Sequence, residues 1–263
     1  MQFMESHNHR KQRRPAPPAS GRGHDTAVDV VTAEQVIPRA TLDKVNALID
    51  ANRAHSPVGL PTGLVVAAAV ADASAACLRE VEAFRQLEAQ LRRKARLFVA
   101  RYAGKRLDER PLHIVRCVDR TTGRESHCRH FDSHALTVLI PLQIAEDGSR
   151  NGDLLIYRRR RTPPSTLVNL LDKARHGAQR NLPLRLRRTL TDFDLRHGRC
   201  DRVRCVPGNV YAFNGFVTQH ANLDILGGER RSLLIHWYDP GASAGVSTAL
   251  RRIRRICDRL RGA

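Results

Sequence analysis

His130-Phe131-Asp132-Ser133-His134-Ala135-Leu136-Thr137-Val138-Leu139-Ile140-Pro141-Leu142 joins a short polar cluster to an apolar run rich in β-branched residues. The run reads as a strand. In extended chain, residues i and i+2 point to one side, so His130 and Asp132 are able to bind one metal ion together. A His-x-Asp triplet alone is a weak signal because it is common by chance. Here it is followed, in order, by a distant His220, by Arg230-Arg231-Ser232 and by Trp237. Two imidazoles and one carboxylate on one side of an ion leave its other positions open to small ligands.

The surrounding texture changes once. Before Pro111 it is helical: Leu42, Val45, Leu48 and Ile49 share a face behind Thr41 as N-cap, and Leu78, Val81, Phe84, Leu87, Leu91 and Phe98 recur at helical steps between residues 65 and 103. That second stretch predicts two helices or one bent helix. After Pro111 the chain reads as short strands: Leu112–Val118, Leu136–Leu142, Leu154–Tyr157, Arg202–Val206, Val210–Phe213 and Arg231–Tyr238. Residues 158–204 interrupt them with a predicted helix over 165–180, Leu167, Leu170, Leu171 and Ala174 inward, and an Arg-rich remainder. Helices followed by many short strands predict a mainly β (α+β) protein, an all-β barrel or sandwich with N-terminal helices laid on one sheet. The expected division is a basic tail without order (1–28), a helical region (29–110), a β domain (111–246) holding the insertion 158–204, and a basic C-terminal helix (247–263).

The 263 residues carry a formal charge of +19, unevenly placed. Residues 1–28 hold net +3, residues 158–204 net +10 and residues 250–263 net +5, so the rest is close to neutral. Such a distribution predicts either a solvated surface or an acidic partner or substrate. The six cysteines form no Cys-x-x-Cys and suit a reducing compartment; Cys200 and Cys205 could pair or bind metal. The most apolar run, 64–77, contains Asp72 and is too short to span a membrane, and no signal-peptide core is evident. The default expectation is a soluble, cytoplasmic protein.

Residues 112–240 resemble the 2-oxoglutarate- and Fe(II)-dependent dioxygenases, specifically the prolyl-hydroxylase-like branch. The resemblance rests on His130-Phe131-Asp132, the strand from Thr137, Asn151-Gly152-Asp153-Leu154, Val206-Pro207-Gly208-Asn209-Val210-Tyr211-Ala212-Phe213, His220, and Arg231 through Trp237-Tyr238-Asp239. It implies a double-stranded β-helix, the cupin-like jelly-roll, with Fe(II) at its open end. It implies His130, Asp132 and His220 as metal ligands, 2-oxoglutarate as co-substrate and O2 as oxidant. Imidazole and carboxylate donors suit Fe(II). A guanidinium would pair with the distal carboxylate of 2-oxoglutarate. Arg231 and Arg230 compete for that role: Arg231 shares strand parity with Trp237, and Arg230 forms Arg-x-Ser with Ser232. The six-residue step to Trp237 favours Arg231, a choice that a one-residue slip reverses. Thr137 and Tyr211 are candidate helpers.

The retained Asp132 points to hydroxylation of an unactivated C–H bond, in an amino-acid side chain or a small metabolite, rather than halogenation. The substrate is a small molecule or a protein, acidic if the Arg-rich insertion contacts it. His127, His134 and His236 read as local hydrogen-bonding or surface residues, and a zinc site of His127, Cys128 and His130 matches no common spacing. The alternative is a nucleic-acid-binding protein on a cupin-like scaffold, supported by the basic segments. Against it, aromatic residues are 5% of the chain and do not interleave with the Arg runs, so stacking platforms are scarce.

Overall fold

The computed structural model describes residues 30–54, 67–100, 109–119, 126–144, 151–160 and 166–239. The expected N-terminal tail and C-terminal helix lie outside the described residues, as do a loop that Gly59, Pro61 and Gly63 predict and a polar turn expected over 121–124. Among the described residues three helices precede Leu112: α1 (Arg39–Ala54), α2 (Ala68–Arg79) and α3 (Glu82–Ala100). The 65–103 stretch is thus two helices, broken at Glu80-Val81. Leu42, Val45, Ile49, Leu78, Phe84, Leu91 and Phe98 are buried as their spacing predicts, whereas Leu48 stays exposed. The helix α1 starts two residues before Thr41, which is therefore not its N-cap.

Among the described residues there are eight strands: β1 (Val31–Ala33), β2 (Leu112–Asp119), β3 (Leu136–Gln143), β4 (Leu154–Arg160), β5 (Cys200–Val203), β6 (Val210–Phe213), β7 (Thr218–Asn222) and β8 (Glu229–Trp237). They form a five-stranded sheet ordered β1-β6-β3-β8-β2 and a three-stranded sheet ordered β5-β4-β7. Every pairing is antiparallel. Two such sheets enclosing an interior make the jelly-roll the sequence implied. Pro141 sits in the central strand β3, where its missing N–H is tolerated beside a register shift between Pro141 and Gln143.

Both faces of the larger sheet are covered, and strand parity sorts the side chains. Leu136, Val138, Ile140, Leu142, Val115, Leu233, Ile235 and Trp237 meet the helical layer in the main core. Their alternates, Thr137 and Leu139 on β3 and Arg230, Ser232, Leu234 and His236 on β8, face the interior between the sheets. On β4, Leu154 and Ile156 join that interior with Tyr211 and Phe213. Leu155 and Tyr157 turn outward and pack with Cys200, Ala221 and Leu195. Each fully buried aliphatic side chain stabilises this layering by about 1.5–3 kcal/mol.

The insertion folds as α4 (Thr166–Arg180) and α5 (Leu184–Arg196). The predicted helix over 165–180 is α4, but its predicted inward face is corrected: Leu171 is 60% exposed and Ala174 is exposed. The side chains of Leu167 and Leu170 lie outside the described set. The helix α5 turns Arg187, Thr191 and Asp194 inward instead. Arg187 donates to the Ser126 carbonyl, Arg188 to Asp224, and Asp194 receives Arg129 at 3.0 Å. Several insertion arginines thus serve the fold itself. Cys200 and Cys205 are both buried free thiols.

Candidate metal centre

His130, Asp132 and His220 converge at one end of the interior, their ligand atoms within 4.8 Å of one another. Among the described residues this is the one such group of His, Cys, Asp and Glu. The segment bearing His130 is not a regular strand. A single antiparallel bridge joins His130 to His220, each amide donating to the other's carbonyl at 2.9 and 3.0 Å. Asp132 is placed by its own amide, which donates to the Gly215 carbonyl at 2.9 Å.

The two imidazoles are oriented alike. Nδ1 of His130 lies 3.1 Å from the Cys128 carbonyl, and Nδ1 of His220 lies 3.1 Å from the Thr218 carbonyl. A carbonyl only accepts, so each Nδ1 carries the proton and each Nε2 presents its lone pair. Those lone pairs face Asp132: His130 Nε2 is 3.7 Å from Oδ1 and His220 Nε2 is 3.5 Å from Oδ2. Burial, then the neighbouring His220, holds the His130 pKa down to about 4 despite Asp132. Burial alone would raise Asp132, but the imidazoles of His220, His236 and His130 and a hydrogen bond from Thr137 hold it well below the ordinary carboxylate range. His130 and Asp132 are thus held deprotonated near neutral pH, and the hydrogen bonds preorient all three donors, as a divalent ion requires.

Thr137 ties two of these groups. Its hydroxyl donates to Asp132 Oδ2 at 2.5 Å and lies 3.1 Å from His236 Nδ1. With its one proton on the carboxylate, the hydroxyl accepts from His236, which fixes that ring as an Nδ1–H tautomer. His236, expected to be a surface or local residue, lines the cavity. So do Arg116, Asn222 and Ser232, which sequence reasoning missed. His127 is buried elsewhere, its Nε2 3.0 Å from Asp224, and takes no part in a zinc cluster with Cys128 and His130.

Behind the triad is an inner chamber of about 40 Å3. Leu139, Leu154, Phe213 and Leu234 form its apolar walls, and Arg230 reaches into it. Arg230 is 5% exposed; its Nη1 donates to the Gly152 carbonyl, while its Nε meets no hydrogen-bond partner. No carboxylate among the described residues lies at ion-pair distance from it, and burial lowers its pKa. A buried guanidinium left so is an anion site by its chemistry. Gly152 makes room for it: φ is +80°, and a Cβ there would stand 2.9 Å from Nη1.

The register choice is corrected here. Arg231 points to the outer face of β8, where it pairs with Asp50 at 2.7 Å and Glu229 at 3.0 Å. Trp237 shares that face. Its Nε1 donates to Glu88 at 3.2 Å, and the Arg92 guanidinium lies 3.7 Å over its ring. Neither reaches the chamber, because residues of one strand parity must share one side of the sheet. Tyr211 packs within the interior but does not line the chamber, its hydroxyl donating to the Arg204 carbonyl at 2.7 Å.

No helix among the described residues is long and apolar enough to cross a membrane. No protein-family model and no curated protein matches the chain. Solved structures similar to it in backbone course include a Pseudomonas putida prolyl-4-hydroxylase, 12% identical, covering 80% of this chain and 91% of that one at a TM-score of 0.40. HygX from Streptomyces hygroscopicus, solved with nickel and 2-oxoglutarate, is 13% identical over 82% of this chain and 84% of its own at 0.45. EvdO2 from Micromonospora carbonacea var. aurantiaca is 12% identical over 80% and 86% at 0.47.

Proposed function

We propose that the chain is an Fe(II)- and 2-oxoglutarate-dependent oxygenase that hydroxylates an unactivated C–H bond of an amino-acid side chain or small metabolite. The observation that carries this reading is a facial His130–Asp132–His220 set with a buried guanidinium, Arg230, facing the same interior. Fe(II), when bound with 2-oxoglutarate and O2, supplies the oxidation, with succinate and CO2 as by-products.

The chain's own residues do the positioning. The backbone carbonyls of Cys128 and Thr218 hold both imidazoles with Nε2 toward the ion. Thr137 keeps one oxygen of Asp132 occupied and so fixes the carboxylate's plane. Arg230 offers its unmatched N–H to the distal carboxylate of 2-oxoglutarate, and Leu139, Leu154, Phe213 and Leu234 exclude water from its methylenes. Asp132 occupies the ligand position that a halide would need, which favours hydroxylation.

The alternative of a nucleic-acid-binding cupin gains no support. Insertion residues Arg187 and Arg188 are committed to internal partners. The test is anaerobic loading with Fe(II) and 2-oxoglutarate, read as the weak visible metal-to-ligand absorption. The parent protein should show it, and His130→Ala and Asp132→Ala should not. Its absence in the parent protein overturns the proposal.

A further inference from the structure

Past the triad the interior opens into an outer chamber of about 240 Å3. Its lining includes His176 of α4, whose ring lies 5.1 Å from that of His130. Arg116, His130, Asp132, Asn222 and His236 line both chambers and so mark their junction at the triad. Asn222 stands two residues after His220 on β7, so both side chains turn to the interior. Its backbone is held: it pairs with Leu154 of β4, and its carbonyl accepts the His127 amide at 2.8 Å. Its half-buried carboxamide makes no hydrogen bond to a described residue. A polar group placed so, without a protein partner, calls for a ligand.

Resting on the oxygenase reading, we infer that the Asn222 carboxamide donates to the metal-end carboxylate of 2-oxoglutarate, so that Arg230 and Asn222 hold the co-substrate at its two ends. The argument starts from the ligand. A 2-oxo acid that binds an ion through its keto oxygen and one carboxylate oxygen leaves its second carboxylate oxygen off the ion. Away from water that oxygen is costly unless an N–H or O–H meets it. The polar side chains near the triad then sort by what they can donate. Thr137 has its one proton on Asp132. His236, fixed as the Nδ1–H tautomer by Thr137, has only a lone pair at Nε2, which repels a carboxylate. Ser232 lines the inner chamber alone, two positions from Arg230 on β8, and so stands toward the distal end. Arg116 is half-buried on β2, at the end of its sheet, and already has a partner. Asn222 remains: its carboxamide carries two N–H donors, and it sits at the junction beside His220.

The probes are 2-oxoglutarate and pyruvate, which keeps the 2-oxo acid end and lacks the distal carboxylate. Each is titrated anaerobically into the full chain loaded with Fe(II), read by the visible metal-to-ligand absorption. Asn222→Leu should weaken both keto acids by the same factor, about 10–100-fold, the loss of a hydrogen bond to a charged group. Arg230→Met should weaken 2-oxoglutarate and leave pyruvate alone. Asn222→Asp, equal in size, replaces the donor by an anion and should weaken both acids further. Mn(II) affinity of Asn222→Leu, by competition with a chelator, should stay at the parent value, because Asn222 is not a metal ligand. Parent affinity for both acids in Asn222→Leu overturns the inference. So does a loss confined to 2-oxoglutarate, which would place Asn222 at the distal carboxylate. A fall in Mn(II) affinity that matches the fall for the keto acids also overturns it, since Asn222 would then only prop His220. A parent protein that binds neither acid overturns the oxygenase reading instead.

Discussion

The hydroxyl of Thr137 donates to Asp132 Oδ2 at 2.5 Å and stands 3.1 Å from His236 Nδ1, so one β3 side chain links the carboxylate of the His–Asp–His cluster to β8. Thr137→Val keeps the shape and removes the link. Metal affinity should fall by about 10–100-fold, the usual cost of losing a partner of a ligand. Thr137→Ser, which restores the hydroxyl, should recover most of it. Competition between the protein and a chelator for Mn(II) measures both.

Gly215 imposes a second constraint on the same carboxylate. A Cβ at this position would run into Asp132 Oδ2 and Thr137 Oγ1 and stand 2.8 Å from Asp132 Cβ. The Gly215 carbonyl also receives the Asp132 amide, so backbone and side chain meet at one point. Gly215→Ala should destabilise the metal-free protein by roughly 1–3 kcal/mol, the cost of overpacking. It should also remove most of the rise in Tm that Mn(II) gives the parent protein, because the displaced carboxylate no longer binds the ion. An unchanged Mn(II) effect on Tm would show that Asp132 relaxes freely.

Arg230 and Arg231 separate the inner chamber from the helical layer by a single residue. Arg230→Met should weaken 2-oxoglutarate binding by about 10–100-fold, the loss of charged hydrogen bonds at a buried site. Arg231→Met should leave that affinity alone and cost at most about 1 kcal/mol of stability, since Asp50 across the pair is largely exposed. The opposite ranking in a calorimetric titration would reverse the register assigned to β8.

Much of this is legible in the sequence. The strands Leu136–Gln143 and Val210–Phe213 and the helix Thr166–Arg180 stand where their patterns predict them, and the His130, Asp132 and His220 side chains meet. The Arg230/Arg231 choice failed because both faces of β8 are buried, so burial does not announce which side holds the site. A subtler signal was present. Leu233, Ile235 and Trp237 are wholly apolar, as a core face should be, whereas Ser232, Leu234 and His236 alternate with polarity. The same contrast separates Val115 and Cys117 from Arg116 on β2. His176 had no such signal: its place over His130 depends on how α4 docks, which local pattern does not encode. The strand β7 was missed because Thr218-Gln219-His220-Ala221-Asn222 lacks an apolar alternation; its pairing with β4 makes it a strand.

Asp224 joins the parts that frame the site. Its carboxylate meets His127 Nε2 at 3.0 Å and receives Arg188 of α5, and its carbonyl accepts the Gly152 amide at 3.2 Å. Burial alone would raise its pKa, but the hydrogen bond and charge of His127, then Arg188, outweigh it and hold it to about 2. A carboxylate depressed in the folded state adds stability above its unfolded pKa of about 4, and that stability is lost as pH falls through the folded value. The gain near neutral pH is about 2 kcal/mol for a side chain this buried. Asp224→Asn should therefore be less stable than the parent protein by about that amount at pH 7, and the difference should shrink between pH 4 and pH 2. Urea unfolding of the metal-free proteins across that range checks both the size and the sign. A gap that widens on acidification would mean that Asp224 is held neutral rather than charged.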